Sequence, residues 1–571
     1  MSQDEGKGQK PHLRVVKAID EALPAGGAPD DAVSGAATAA DPAPLNEKAG
    51  KGRSRRERAS KAKPGGEGRH EKRARFGKDG VSHADLDLQL SRFQCTDLGN
   101  VRRFIARSGK DFLFVPEWGW LAWDGRRWNA QEADAILGRA IHDMVESIRR
   151  EAAALEASPH DVLLETKANG REVWASDRVM GWYVASQSNS HVACIATLAK
   201  IYVTASADQF DRDPCAINVA NGTLMVVKGA EAGYVSLHPH RREDMHTKLA
   251  DVVYDPASAC PIYDGFLARV QPDPRMQRHL HAWGGLSLTA LPVAKLSFWY
   301  GTGRNGKSTL VDAWAHVMGE YAQTIPIESF LDQGRSRRGG EASPDIASLP
   351  AVRALRTSEP ERGSKLAEGL IKLVTGGEPM RARHLNRDFF EFRPCFKLTM
   401  QGNYKPRVDG TDEGLWARLL IVPWSVMIPE EERDTTLPAK LKGEGSGILN
   451  RLLDGLCDYL DKGLTPPDEV LDATQEYREQ SDPIGRFLRE CCDQTDARAK
   501  VEAKPLYALY AAWAKAEGEP VWSVKGFSRG LQEHGITRRK SDTIIYVGLA
   551  LTREKSEFEG MEIKDESEPK R

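Results

Sequence analysis

Apolar residues recur at helical spacing through AILGRAIHDMVESIRREAAAL (135–155) and alternate with polar ones through the tryptophan-rich PEWGWLAWDGRRWNAQE (116–132) around a D-G turn. The first pattern predicts an amphipathic helix. The second predicts a half-buried hairpin whose four tryptophans serve a core in preference to a base-stacking platform. Residues 84–93 also read as helical, and further helical segments run to about Tyr202. INVANGTLMVV (217–227) predicts two short strands about an N-G turn, and YDPASACPIYDGFLARV (254–270) passes through proline-marked turns into a helix. Then the pattern changes. Apolar stretches at the start of 296–319 and within 351–361, 396–406 and 415–424 read as strands, and KPLYALYAAWAKAEG (504–518), VKGFSRGLQEHGITRRK (524–540) and TIIYVGLALT (543–552) follow as helix, helix and strand.

These patterns divide the 571 residues into a tail (1–80), a mainly helical domain (81–280), an α/β core (281–435), a helical connector (436–480), a C-terminal module (481–555) and a charged tail (556–571). The first segment is rich in Ala, Gly, Pro, Lys and Arg and poor in aromatics. It cannot bury enough apolar surface to offset the entropy of ordering, so disorder is expected. Charged residues make up 28% of the chain, the net charge is only −2, and no apolar run nears the ~18 residues of a membrane span. The N-terminus has no apolar h-region, which points to the cytoplasm, a bacterial host's in the context reached below. The eight cysteines show no C-x-x-C pair and are expected as reduced, mostly structural thiols. Near-neutral overall charge conceals a basic run at 51–78, which reads equally as a solubilising tail or as a sequence-nonspecific DNA tether.

The chemistry centres on LSFWYGTGRNGKSTLVDAWAHVMG (296–319), an apolar strand, a glycine-rich loop and an amphipathic helix, the context that a Walker A motif requires. The loop is Gly301, Thr302, Gly303, Arg304, Asn305, Gly306, Lys307, Ser308, with Thr309 next. Glycines let backbone N–H groups close around phosphates while the following helix points its positive end at them. Lys307 is expected to reach the β- and γ-phosphates of ATP and Ser308 to ligate Mg²⁺. The loop also spells G-x-G-x-x-G with Glu328 downstream, but a dinucleotide reading leaves Lys307 and Ser308 idle.

Such a loop needs an acid at the end of a neighbouring strand. AVRALRTSEPE (351–361) offers Glu359, with Glu361 two residues on, although Arg353 and Arg356 interrupt the apolar run. FKLTMQGNYKP (396–406) ends in Asn403, whose amide suits a sensor of the γ-phosphate and the attacking water or, equally in pattern, a turn. LWARLLIVPW (415–424) places Arg418 ahead of a strand, either as an arginine finger for a neighbouring subunit or in a structural salt bridge.

In this order, G-x-G-x-N-G-K-S, S-E-P, IKLVTGGEPMRARHL (371–385), GNYKP and W-A-R-L resemble the superfamily-3 helicases of the phage/plasmid primase C-terminal family, relatives of the poxvirus primase-helicase. The resemblance spans roughly residues 90–550, since TDLGNVRRF (96–104), WLAWDGRRW, NGTL and YDPASACP resemble that family's helicase-associated region. It implies an AAA+-like P-loop ATPase core preceded by a helicase-associated domain and followed by a winged-helix-like module. It further implies a homo-oligomeric ring, usually a hexamer, that hydrolyses Mg-ATP between subunits and translocates on single-stranded or forked DNA. Lys307 and Ser308 fall on Walker A, Glu359 on the metal-facing B acid, Asn403 on the sensor and Arg418 on the finger. PMRARHLNRDFFEFRP (379–394) falls on the channel hairpin, read from its own residues as two strands about an N-R-D turn with Arg381, Arg383, His384 and Arg387 near the tip, suited to a DNA backbone or simply to water. In the last module Arg529, Arg538, Arg539 and Lys540 would face DNA. Ala417 departs from the pattern, where relatives often carry a second arginine.

Two other functions compete. D-L-D (85–87) superficially resembles a polymerase acid pair, but its segment reads as helix with little chain before it, so any primase would be a separate protein. A nucleotide-switched DNA-binding initiator would use the same loop without unwinding.

Overall fold

The computed structural model describes residues 83–228, 233–332, 344–383, 388–408, 413–540 and 543–558. The basic run 51–78, the loop-tip residues His384 and Arg387, and the charged end 559–571 lie outside the described residues. The described chain falls into two compact units. One comprises residues up to Arg212 together with Pro239–Lys248; the other comprises Asp213–His238 and Leu249 onward.

In the first unit, helices α1 (His83–Leu90), α2 (Asp97–Ser108) and α3 (Ala133–Glu156) pack with α4 (Ala175–Ser186) and α5 (Asn189–Ala199). A three-stranded antiparallel sheet of β1 (Phe112–Val115), β2 (Gly119–Trp123) and β3 (Trp128–Asn129) joins them. The β2–β3 turn forms because Asp124 Oδ1 accepts the N–H groups of Arg126 and Arg127 at 2.8 and 2.9 Å. Of the four tryptophans, Trp120 and Trp128 are buried, and Trp118 and Trp123 pack against the core's edge. Inside the bundle Arg103 and Glu151, both fully buried, meet at 2.7 Å, and Arg107 joins Glu151 to Asp87. Asp87 also takes Arg150. The second acid of D-L-D is thus committed to a structural network, where a partnered buried charge is tolerable and an unpartnered one is not.

The second unit opens with another antiparallel sheet, β4 (Ala216–Val219), β5 (Gly222–Lys228) and β6 (Gly233–His238), turning at the N-G dipeptide as expected. The stretch 81–280 thus carries more helix than strand, with short antiparallel sheets set among the helices. Short, strongly paired strands lack the long period by which helices announce themselves. Helices α6 (Pro261–Val270) and α7 (Pro274–Leu286) lead to β7 (Leu296–Tyr300) and α8 (Lys307–Met318). Next come β8 (Ala322–Ile325), β9 (Ala354–Thr357), α9 (Glu368–Gly376), the antiparallel pair β10 (Met380–Ala382) and β11 (Phe390–Phe392), β12 (Lys397–Gly402) and β13 (Leu419–Pro423). Strands β8–β9–β12–β7–β13, in that order, form an all-parallel five-stranded sheet.

Both faces of that sheet are buried, which is why its strands read as unbroken apolar runs. Trp299, Leu420 and Val422 point into one core with α7, α8 and α10 (Gly445–Lys462), whereas Leu296, Phe298, Leu398, Met400 and Ile421 point into the other. The arginine that interrupts β9's pattern has a structural use. Arg353 is 1% exposed and donates to the carbonyls of Ala216 (2.7 Å) and Leu288 (2.9 Å), with Tyr321's ring 4.3 Å away. Beside it Lys397, also buried, donates to the carbonyls of Thr289, Leu291 and Cys395. Arg356, on the other side of the strand, pairs with Asp312 of α8 and bonds Thr324.

Helix α11 (Asp468–Gln480) lies along β13. Helices α12 (Pro483–Cys491), α13 (Ala503–Ala516) and α14 (Val524–Glu533) then enclose a separate core about Phe487, Tyr510, Trp513 and Phe527. A sheet in the order β14 (Lys500–Glu502), β16 (Ile544–Val547), β15 (Thr537–Lys540) accompanies them. None of the eight cysteines forms a disulfide. Among the described residues no helix is long and apolar enough to cross a membrane.

Candidate nucleotide site

Parallel strands bring everything that follows their carboxyl ends to one edge of the sheet, the usual place for a ligand in an open α/β fold. At that edge the loop 301–306 leaves β7, Glu359 follows β9 and Asn403 follows β12. Because β12 lies between β7 and β9, Asn403 sits between the loop and Glu359.

Two glycines of the loop cannot be replaced without movement. A Cβ on Gly301 would stand 2.3 Å from Asn305 Nδ2 and 2.4 Å from Trp424 O, and one on Gly306, where φ is 82°, would meet Phe266 at 2.9 Å. The loop is braced from below: Asn305, 3% exposed, donates Nδ2 to Trp424 O at 3.0 Å, and Ile428 N–H donates to the carbonyl of Arg304, which itself holds a left-handed φ of 56°. Thr302 is exposed and Thr309 half-buried.

Lys307 opens α8 and turns its ammonium into the loop, donating to Gly301 O and Asn305 Oδ1, each at 2.9 Å, and to Asn403 Oδ1 at 3.4 Å. Burial lowers its pKa, and the nearby Glu359 carboxylate works in the opposite direction. Asn403 in turn donates Nδ2 to Glu359 Oε2 at 3.2 Å. One amide therefore links the loop lysine to the acid. Ser308 is exposed and donates to Gln401 Oε1 at 3.3 Å. Sequence reasoning missed Gln401, although alternation along β12 sets it and Asn403 two apart at the strand's end. Glu361 is exposed and farther along the turn. Glu328 lies in a short 3₁₀ turn after β8.

Two expected groups stand away from this edge. Arg418 precedes β13, whose residues pair Leu419 with Leu296 and Pro423 with Tyr300, so it lies at the amino end of the sheet. A strand of that length puts it about 16 Å from the loop of its own chain. Its Nη1 donates to Gly414 O at 2.6 Å, and its buried Nε has no partner among the described residues. The β10–β11 pair forms the expected hairpin, with Arg381 opposite Glu391. Arg381 and Arg383 both stack on the exposed Phe389 ring, 5.2 and 4.9 Å from its centroid. In the C-terminal module Arg538, Arg539 and Lys540 are exposed along β15, and Arg529 lies 3.7 Å from Glu533.

Residues 101–272 match the family model described as D5 N terminal like. The chain is similar to putative helicase L207/L206 of Acanthamoeba polyphaga mimivirus, 28% identical over 273 residues, which covers 44% of this chain and 28% of that protein. It is also similar to putative helicase 022R of Frog virus 3 (isolate Goorha), 26% identical over 270 residues, covering 44% and 27%. The match thus spans less than a third of the length of these curated relatives. Among solved structures, the apo NrS-1 C-terminal region overlaps with a TM-score of 0.36 at 13% identity, over 57% of this chain and 82% of that one. The chain is therefore similar, over part of its length, to putative helicases of two DNA viruses, and its segment 101–272 matches the D5 N terminal like family model.

Proposed function

We propose that this chain is an ATP-driven DNA helicase of the superfamily-3 type, hydrolysing ATP at a site built from the 301–308 loop, Glu359 and Asn403. The observation that carries the reading is the unbroken contact from Lys307 through Asn403 to Glu359 at the carboxyl edge of a parallel sheet. The loop amides and Lys307 would hold the β- and γ-phosphates. Asn403 Nδ2 occupies Glu359 Oε2, leaving Oε1 to take the proton of an attacking water. The oxygen donors Ser308 and Glu359 suit Mg²⁺, which keeps several waters and takes one or two protein oxygens besides phosphate. When bound there, Mg²⁺ would neutralise charge on the phosphates.

Arg418 cannot serve its own loop, so the finger role requires a neighbouring subunit and a homo-oligomer, a hexameric ring being the arrangement that the family resemblance implies. The β10–β11 hairpin, with Arg381 and Arg383 beside Phe389, supplies cation and aromatic ring together, the pairing that grips single-stranded nucleic acid without reading sequence. The C-terminal helices and sheet fit a winged-helix-like module whose Arg538, Arg539 and Lys540 meet a backbone. A phage or plasmid replication system is the proposed setting, with priming supplied by another protein.

Steady-state ATPase with and without single-stranded DNA, in the wild type and in Lys307→Ala, tests the reading. Turnover stimulated by DNA and abolished by the substitution is expected. ATP binding without turnover in the presence of DNA and Mg²⁺ would replace the motor with a nucleotide-switched initiator.

A further inference from the structure

Away from the loop, a cavity of about 290 Å³ opens between α7, the end of α10 and the segment 463–468 that enters α11. Its volume is near the ~300 Å³ at which small-molecule pockets begin. Three cations line it. Arg275 is fixed by Asp273 at 3.1 Å and Asp468 at 3.2 Å, and Lys462 stands 3.5 Å from Asp458. Arg278, exposed at the wall, makes no hydrogen bond or ion pair among the described residues. Helix α11 starts at the cavity's edge after Pro467, which gives its first turn no side-chain cap, so its first N–H groups lie at the same edge, with Asp468 and Glu469 in that turn and Asp458 and Asp468 lining the cavity beside the cations.

The inner wall carries an independent sign of a ligand. His279 is 2% exposed, and among the described residues neither of its ring nitrogens has a hydrogen-bond partner. A buried polar group left unpaired costs about 1–3 kcal/mol, and buried groups in folded proteins are nearly always satisfied. A buried histidine ordinarily finds a polar neighbour, as His281 on the same helix bonds the Tyr263 hydroxyl at 3.1 Å. Burial holds the His279 imidazole neutral, down to about 4, so it offers one donor and one acceptor to whatever fills the cavity.

We propose that this cavity is a second anion site, separate from the 301–308 loop, which takes the phosphate of a small phosphate ester on Arg278, Lys462 and the start of α11 and its organic part against His279. A guanidinium with free donors and a neighbouring ammonium suit a phosphate oxygen set. The cavity is larger than phosphate alone needs, and AMP serves as the phosphate-ester probe. Calorimetric titration of the full chain tests this, with AMP and inorganic phosphate as separate probes. Lys307→Met serves as background, so that binding at the loop is impaired while the lysine stem's packing is kept. The expected result is one AMP site that survives Lys307→Met, is at least tenfold weaker when Arg278→Ala and Lys462→Ala are added, and is partly restored by Arg278→Lys. Both side chains are exposed, so the fold should persist, and unchanged circular dichroism checks it. Heat from neither probe at millimolar concentration, or AMP binding indifferent to the double substitution, overturns the site. Phosphate binding as tight as AMP overturns the ester and leaves free phosphate as the ligand. None of these outcomes depends on ATP turnover, so the proposal stands or falls apart from the motor reading.

Discussion

Asn403 uses both ends of its amide, Oδ1 toward the Lys307 ammonium and Nδ2 toward Glu359. Neutralising Glu359 as Gln should keep ATP binding and lower turnover by ~10²–10⁴, the usual contribution of a positioned base. Glu361→Gln should change turnover by no more than a few-fold; equal losses from both, in steady-state ATPase, would sink the assignment to Glu359. Sequence reasoning reached Lys307, Glu359 and Asn403 because each follows a strand in the order that a P-loop site needs. It missed Gln401, because a hydrogen bond from Ser308 to a residue 93 positions away leaves no local mark. His279 supplies a pH prediction. Its folded pKa, about 4, lies below the ordinary 6.5. Between those values the unfolded chain holds more protons, so its contribution is present above pH 6.5 and is lost as pH falls toward 4. The loss is on the order of 3 kcal/mol. Denaturant unfolding of His279→Gln should show a shallower fall than the wild type over that window; parallel curves would mean that the imidazole is not desolvated.

At the scale of elements, the β10–β11 hairpin and the buried ends of β9 and β12 make different claims. If Arg381 and Arg383 hold phosphates, replacing either by Ala should weaken single-stranded DNA binding and reduce the slope of log K against log salt by about 0.7. An unchanged slope in fluorescence anisotropy would make the hairpin a solvated one. Arg353 at the head of β9 was a defect in the sequence pattern and is an anchor in the structure. Arg353→Leu strands the carbonyls of Ala216 and Leu288, each at a cost of about 1–3 kcal/mol, and should lower unfolding stability without altering the ATP site. A variant as stable as the wild type would show that neither bond matters. Periodicity recovered β7, β12, α3 and α13 closely, since each presents an apolar face at its own period over its full length, but it ran one helix through 524–540, where α14 ends at Glu533 and β15 begins at Thr537, and one strand through 415–424, whose first residues close the helix Glu413–Trp416. It says less about the short sheets within 81–280, because strands of two to seven residues give too few positions to set a period.

For the whole molecule, the distance of Arg418 from its own loop turns a motif into a statement about assembly. Arg418→Ala should bind ATP yet lose turnover by ~10³ or more. Mixed with inactive Lys307→Ala, it should regain activity, because intact Lys307 from one variant then faces intact Arg418 from the other. Failure of the mixture to recover, with sedimentation showing mixed oligomers, would exclude the shared site.

The order of strands, the glycine-rich loop and the residues after each strand were determined by the sequence alone, because they rest on local periods and on backbone freedom that glycine confers wherever it stands. Tertiary structure alone decided which of those residues meet. It interleaved β12 between β7 and β9 so that Asn403 reaches both neighbours, sent Arg418 to the far end of the sheet, and gave Arg353 carbonyl partners 137 and 65 residues away. The reason is physical: a strand's neighbours are fixed by long-range pairing and by the burial of both sheet faces, neither of which is written in the spacing along the chain.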